Sequence, residues 1–264
     1  MIRPEPRDRE AALHLYRASE ARFPLIGAVL QNQQDGVVHA DDASRPSCAY
    51  VEHAFGFAQV LGRPTAEFES ALERYLLVDK SFAAAKVRLY TPWLPGFLED
   101  RRHDSLRSLR QRFILDPASM QSAAADASGD ECPGSDRQVV EVDNSNVAAI
   151  EQAFGVTRRF WRSALDFVRG AQAIVVMHRG GPASLCYAAA EADGQVEIDV
   201  LTRPQHQRLG LGKLAVSRFV RRCLERDLEP VWDCFANNTA SVQLCRSIGF
   251  APRAGPYPFF TIGR

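Results

Sequence analysis

The chain has 264 residues, 46% hydrophobic and 24% charged, with 32 Lys and Arg against 32 Asp and Glu. That length and composition suit a globular protein of one large domain or two small ones. A formal net charge of zero, with neither half strongly basic, argues against a dedicated nucleic-acid binder or a protein held on an anionic membrane. No run approaches the ~20 apolar residues of a membrane span. The start, MIRPEPRDRE, lacks the apolar core of a signal peptide, so a cytoplasmic location is expected. The cysteines at 48, 132, 186, 223, 234 and 245 form no CxxC pair and no zinc-ligand spacing, so free thiols and no metal site are expected.

In chain order, a helix is expected over 9–22, with Ala11, Ala12, Leu15 and Ala18 along one side. Leu25–Gln31 and Gly36–Ala40 read as two strands around the turn Gln33-Gln34-Asp35-Gly36. Cys48–Val60 is apolar and fits strand or helix. Thr65–Leu77 reads as a helix, Lys86–Tyr90 as a strand, and Ser105–Leu115 as a helix with Leu106, Leu109 and Phe113 in register. Arg101, Arg102, Arg107, Arg110 and Arg112 read as a solvated face. The small, polar stretch 117–136 cannot bury enough apolar surface to fold alone and reads as a linker between residues 1–116 and 137–264.

The second half alternates more clearly. Gln138–Val142 is a strand, and Val147–Phe154 and Thr157–Phe167 are helices. Ala173–His178, Ala183–Glu191 and Gln195–Thr202 are consecutive strands broken by Gly180-Gly181-Pro182 and Ala192-Asp193-Gly194. A long helix covers 210–225. Pro230–Phe235 is a strand, Thr239–Ile248 a helix and Pro258–Ile262 a final strand. This order is α/β with a mixed sheet.

One segment carries chemistry. Gln207-Arg208-Leu209-Gly210-Leu211-Gly212-Lys213 follows a strand and opens the long helix. Two glycines let the backbone approach an anion, and the N–H groups of the first helical turn favour a pyrophosphate. The loop is not a Walker motif, since GxxxxGK[ST] is absent, and it lacks the third glycine of a dinucleotide fingerprint. The strand ending Val200-Leu201-Thr202-Arg203-Pro204, this loop, the helix, a further strand, then Asn238-x-x-Ser241-x-x-Leu244-Cys245-x-x-x-Gly249-Phe250 together resemble the GNAT superfamily of acyl-CoA N-acyltransferases. A closer resemblance joins Glu197-Ile198-Asp199-Val200 and Leu224–Cys234 to the bacterial subgroup that includes the zwittermicin A resistance acetyltransferase. The first half looks similar to that subgroup's N-terminal region.

The resemblance implies a GNAT-type mixed sheet flanked by helices in residues 137–264, preceded by a smaller α/β domain in 1–116 that serves as an acceptor-site wall or dimer surface. It implies acetyl-CoA as co-substrate, no metal, and a small-molecule amine as acceptor, an antibiotic among the candidates. Backbone groups of Val200, Leu201 and Thr202 are expected to bond the pantetheine amides. Those of Arg208, Leu209, Gly210, Leu211, Gly212 and Lys213 would hold the pyrophosphate, with Gln207 fixing the loop. Arg208 stands where many members have Gly, and it or Arg203 could pair with a CoA phosphate. Asn238, Ser241 and Cys245 would line the cofactor's other side, Asn238 doubling as a helix cap. Cys245 takes the position of the family's usual Tyr acid; a packing role fits it better.

An amine must lose a proton before it attacks a thioester, so a base is needed. Glu197 and Asp199 alternate along one strand and face one side; both are candidate catalytic carboxylates, Glu197 first. Asp233, on the neighbouring strand, and Trp232 are candidates for acceptor binding. The same residues leave open a catalytically silent acyl-CoA sensor, or a tandem-GNAT transferase using a larger acyl donor.

Overall fold

The computed structural model describes residues 1–5, 9–116 and 136–264, with the side chains of Arg101 and Arg102 left aside. The expected linker, apart from Asp136, lies outside the described residues. The helices are α1 (Glu10–Ala18), α2 (Pro24–Leu30), α3 (Ala66–Glu73, continued by a π-helical turn to Val78), α4 (Val147–Phe154), α5 (Ala164–Gly170), α6 (Leu211–Leu224) and α7 (Thr239–Ile248). The strands are β1 (Gly36–Ala40), β2 (Cys48–His53), β3 (Phe57–Gly62), β4 (Lys86–Tyr90), β5 (Arg107–Leu115), β6 (Arg137–Glu141), β7 (Ile174–His178), β8 (Gly181–Ala192), β9 (Gln195–Thr202), β10 (Glu229–Phe235), β11 (Phe250–Pro252) and β12 (Tyr257–Gly263).

Three elements differ from the sequence expectation. Leu25–Gln31 is not a strand: Pro24 at the first helical position opens α2, whose seven residues are all buried. A helix apolar all round has no polar face to reveal its period. Ser105–Leu115 is not a helix; β5 runs there, because pairing with β11 and β12 overrides a chance helical register. Thr157–Phe167 is helical only from Ala164, where Ser163 caps α5 by accepting from Asp166 N–H.

The described residues form two compact units. The first comprises Met1–Arg110 and Tyr257–Arg264. Its strands run in the order β1-β2-β3-β4-β12-β5, with Arg107–Arg110 last. β3 and β4 are parallel and the other neighbours antiparallel. Tyr50, Phe68, Leu72, Leu76, Phe82, Leu89 and Phe260 form its core. The last strand, grouped by chain order with residues 137–264, belongs here.

The second unit, Gln111–Pro256, has strand order β5-β10-β9-β8-β7-β6, with β11 on β5. β6 to β9 form an antiparallel meander. Its two tight turns, Arg179-Gly180 and Asp193-Gly194, take positive φ at both residues, the twist a two-residue hairpin needs. β10 returns parallel to β9 after the α6 crossover. On one face Val196 and Ile198 pack under Ala215, Phe219 and Val220 of α6 and under Ile248 of α7. Burying Val196, Phe219 or Val220, each 0% exposed, is worth ~1.5–3 kcal/mol. On the other face Phe160 and Phe167 pack on Tyr187 of β8.

β8 is bulged between Ala188 and Ala190, opposite Ile198 and Glu197. The indole N–H of Trp161 donates to Ala188 C=O at 3.1 Å, and Ala188 N–H donates to Ala171 C=O at 2.8 Å. Trp161 reaches there only because residue 170 has no side chain: a Cβ on Gly170 would stand 2.3 Å from the indole ring. Gly170→Ala should therefore destabilise the protein by ~1–3 kcal/mol, as overpacking does. Gly255→Ala, where a Cβ would meet open space, should stay within ~0.5 kcal/mol. Denaturant midpoints compare the two.

Candidate active site

β9 and β10 part. Their parallel register runs Gln195↔Glu229, Val196↔Pro230 and Glu197↔Val231, and no later pair follows among the described residues. β8 stays paired with β9 as far as Thr202. Arg203 N–H bonds Ala183 C=O, so by antiparallel alternation the main-chain groups of Val200 and Thr202 turn away from β8, into the gap. Val200 N–H meets Asp199 Oδ1 at 3.1 Å, and Thr202 C=O accepts from Gln207 Nε2 at 3.3 Å. From Asp199 on, β9 is half-buried where its first four residues are buried. The arrangement is an open half-ladder, ready for an extended amide ligand.

The glycine loop sits at the end of this gap. Gly210 caps α6 at φ 77° in the left-handed region, and Arg208 is left-handed too at φ 59°. A glycine would be easier at 208. Gly212 has another reason: a Cβ there would lie 3.1 Å from Thr202 Oγ1, so its absence seats the helix start against the strand end. Thr202 Oγ1 in turn bonds Ser184 Oγ at 2.8 Å. The N–H groups of Leu211, Gly212 and Lys213 open the helix and have no partner within it. Arg203 holds Pro182 C=O at 3.2 Å. His206, just before the loop, meets His178 through their Nδ1 atoms at 3.1 Å. Desolvation, then His178, Arg203 and Arg179, hold the pKa of His206 below its ordinary value.

Glu197 is buried (6% exposed) at the last paired position, where the strands part. Asp199 stands two residues on, on the same face. Its Oδ2 accepts from Tyr187 Oη at 2.6 Å and pairs with Arg159 Nη1 at 3.2 Å. Burial, then the charge of Asp199, push the Tyr187 hydroxyl up, so it stays a proton donor.

Along β10 and α7 the side chains serve one another. Trp232 donates to Ser241 Oγ at 3.0 Å and packs on Phe250. The Asn238 side chain caps α7, accepting from Ser241 N–H. Cys245 is fully buried, its thiol bonded to Val242 C=O and pushed up to about 12, chiefly by burial. Asp233 pairs with Arg112 at 3.3 Å, with side-chain exposures of 0% and 7%.

The GNAT acetyltransferase family model matches residues 18–260. This chain belongs to the GNAT acetyltransferase family. It is 22% identical over 231 residues to YdfB, an uncharacterised N-acetyltransferase of Bacillus subtilis strain 168, covering 86% of this chain and 85% of that one. Its fold is that of a GCN5-related N-acetyltransferase-like protein from Streptococcus suis (TM-score 0.70, 18% identity, 98% and 99% coverage). It is also that of a tandem GNAT protein from the clavulanic acid biosynthesis pathway (TM-score 0.64, 14% identity, 99% and 97% coverage).

Among the described residues of this GNAT protein, no group of three or more His, Cys, Asp or Glu could hold a metal ion, and no helix is long and apolar enough to cross a membrane. Sequence reasoning missed Arg159, Tyr187, Trp161 and the Arg112 pairing. Reading 157–167 as one helix hid Arg159 and Trp161. The capping signal of Ser163 could have shown that 157–162 precedes the helix.

Removing one partner of a buried ion pair leaves a charge uncompensated. Asp233→Ala should cost ~3–5 kcal/mol of stability, against ~0–1 kcal/mol for Asp79→Ala in the exposed Arg74–Asp79 pair. Denaturant titration reads both. The cysteines at 48, 186, 223, 234 and 245 are all buried. Iodoacetamide at pH 8 should leave them unmodified in the native protein and alkylate them after unfolding, as peptide mass mapping would show.

Proposed function

We propose that the protein moves an acetyl group from acetyl-CoA to a primary amine of a small molecule, by direct attack within a ternary complex. The observation that carries this reading is the parting of β9 and β10 at Glu197 and Val231, beside a glycine loop that opens α6. The residues suit the co-substrate. Main-chain groups of Val200 and Thr202 would take the pantetheine amides, one of them replacing the Val200–Asp199 contact, whereas those of Leu201, expected to share this role, turn to β8 by the same alternation. The first turn of α6, from Arg208 to Lys213, would take the pyrophosphate, and Gln207 ties the loop to the strand. Asn238 and Ser241 stand at the start of α7 on the other side, whereas Cys245, expected beside them, is fully buried in the core. Acetyl-CoA supplies an acetyl group activated as a thioester.

Glu197 is the base in this reading. It takes one proton of the acceptor's ammonium, the nitrogen lone pair adds to the thioester carbon, and the C–S bond then breaks while the second proton passes from nitrogen to the departing CoA thiolate, leaving the amide and free CoA thiol. Main-chain N–H groups at the gap stabilise the developing oxyanion. Cys245, held at about 12, is too weak an acid to protonate the departing sulfur and packs instead. Asp199 is engaged by Tyr187 and Arg159 and orients the acceptor. Trp232 and Asp233 support β10 from inside the fold.

The second unit, which contains most of 137–264, is the catalytic domain. The likeness of Glu197–Val200 and Leu224–Cys234 to the zwittermicin A resistance subgroup supports a small-molecule acceptor, an antibiotic among the candidates.

Titration calorimetry with acetyl-CoA, followed by thiol release on a panel of amines, tests the reading. Glu197→Gln should leave the Kd for CoA unchanged and lower turnover ~10²–10⁴-fold. Failure to bind acetyl-CoA would overturn the assignment. Binding without turnover on any amine would favour an acyl-CoA sensor.

A further inference from the structure

We infer that the acceptor is a zwitterion: a small molecule carrying a carboxylate close to the amine that is acetylated, as an amino acid does. The inference rests on the N-acyltransferase reading and narrows it. Its ground is the ion pair Arg159–Asp199, two residues along β9 from Glu197. The two side chains are 36% and 25% exposed, so the pair is open to solvent while Glu197 beneath it is buried.

Both charges are held in place. Asp199 receives the Tyr187 hydroxyl at 2.6 Å. The Arg159 guanidinium lies over the Phe160 ring, 5.3 Å from its centroid, and Phe160 is itself buried against Tyr187. The segment carrying Arg159 is bolted at both ends. Thr157 gives its N–H and hydroxyl to Glu151 at 2.9 Å each, and Trp161 gives its indole N–H to Ala188 at the bulge. A guanidinium fixed by stacking and ion pairing loses little freedom when it meets a ligand, and its planar fork matches a carboxylate.

Charge then selects the class. The segment also carries Arg158 and Arg162, both exposed, so three arginines lie within residues 157–162, and one of them already pairs with β9. A polyamine or an amino sugar with several ammonium groups would bring further cations to these arginines and offer no anion to Arg159. A zwitterion matches both members of the pair: its ammonium faces Asp199 and Glu197, and its carboxylate faces Arg159. Loss of one such charge-assisted contact is worth about 10- to 100-fold.

The test is thiol release at saturating acetyl-CoA on matched acceptors: the common amino acids, the same compounds as amides, spermidine and glucosamine. The wild type should favour at least one free amino acid over its amide by about 10- to 100-fold in kcat/KM, and over both polycation and amino sugar. Arg159→Gln should bring the acid-to-amide ratio towards one by raising KM for the acid, and Arg159→Lys should restore part of the ratio. CoA titration confirms that each variant is folded. Turnover confined to amides, spermidine or glucosamine would overturn the inference and leave the transferase reading intact. So would an acid-to-amide ratio that Arg159→Gln does not move. Acetyl-CoA binding with no turnover on any amine would overturn the transferase reading, and the inference with it.

Discussion

The site depends on a place where a sheet stops being a sheet. Parallel strands continue only while each backbone group finds its partner, and β9 and β10 cease to do so at Glu197 and Val231. Beyond that point β9 keeps one neighbour and turns the other half of its polar backbone to the gap. Unpaired backbone groups inside a protein are costly, so such a gap persists only at the edge of solvent, or where a ligand completes it. The half-buried state of Asp199 through Thr202 is consistent with that.

Several distant features keep the gap in shape. The bulge at Ala188–Ala190 lies across β9 from it, and the carbonyl at Ala188 is satisfied by Trp161. Trp161 is admitted by the missing side chain of Gly170. On the other flank the buried Arg112–Asp233 pair ties β10 to β5 past the point where β10 has left β9. At the end of the gap Gly212 allows the first turn of α6 to rest on Thr202. These residues hold the backbone on either side of the gap.

Much of this was legible in the sequence, where the signal is local. The glycine loop, the α6 helix behind it, the hairpin turn at Asp193-Gly194 and the Asn238 cap each depend on residues within a few positions of one another, and each declares its conformation through glycine φ angles or a capping side chain. The alternation that puts Glu197 and Asp199 on one face is equally local. Three readings failed where local pattern and tertiary context disagree. The wholly buried α2 shows no polar face, Leu106, Leu109 and Phe113 stand at helical spacing where β5 has strands beside it, and residues 157–163 are shaped by bonds to Glu151, Asp199 and Ala188 instead of by helix formation.

By itself the sequence determined the α/β order of elements, the glycine-opened helix start and the pair of carboxylates before it, because turns, caps and alternation are short-range physics. Only the tertiary structure decided what engages Asp199. Arg159 reaches Asp199 across forty positions of chain, and Arg112 reaches Asp233 across more than a hundred. It also decided that the last strand belongs to the first unit. Partners so far apart are chosen by strand neighbours and by the need to pair a buried charge, and neither is written in any window of adjacent residues.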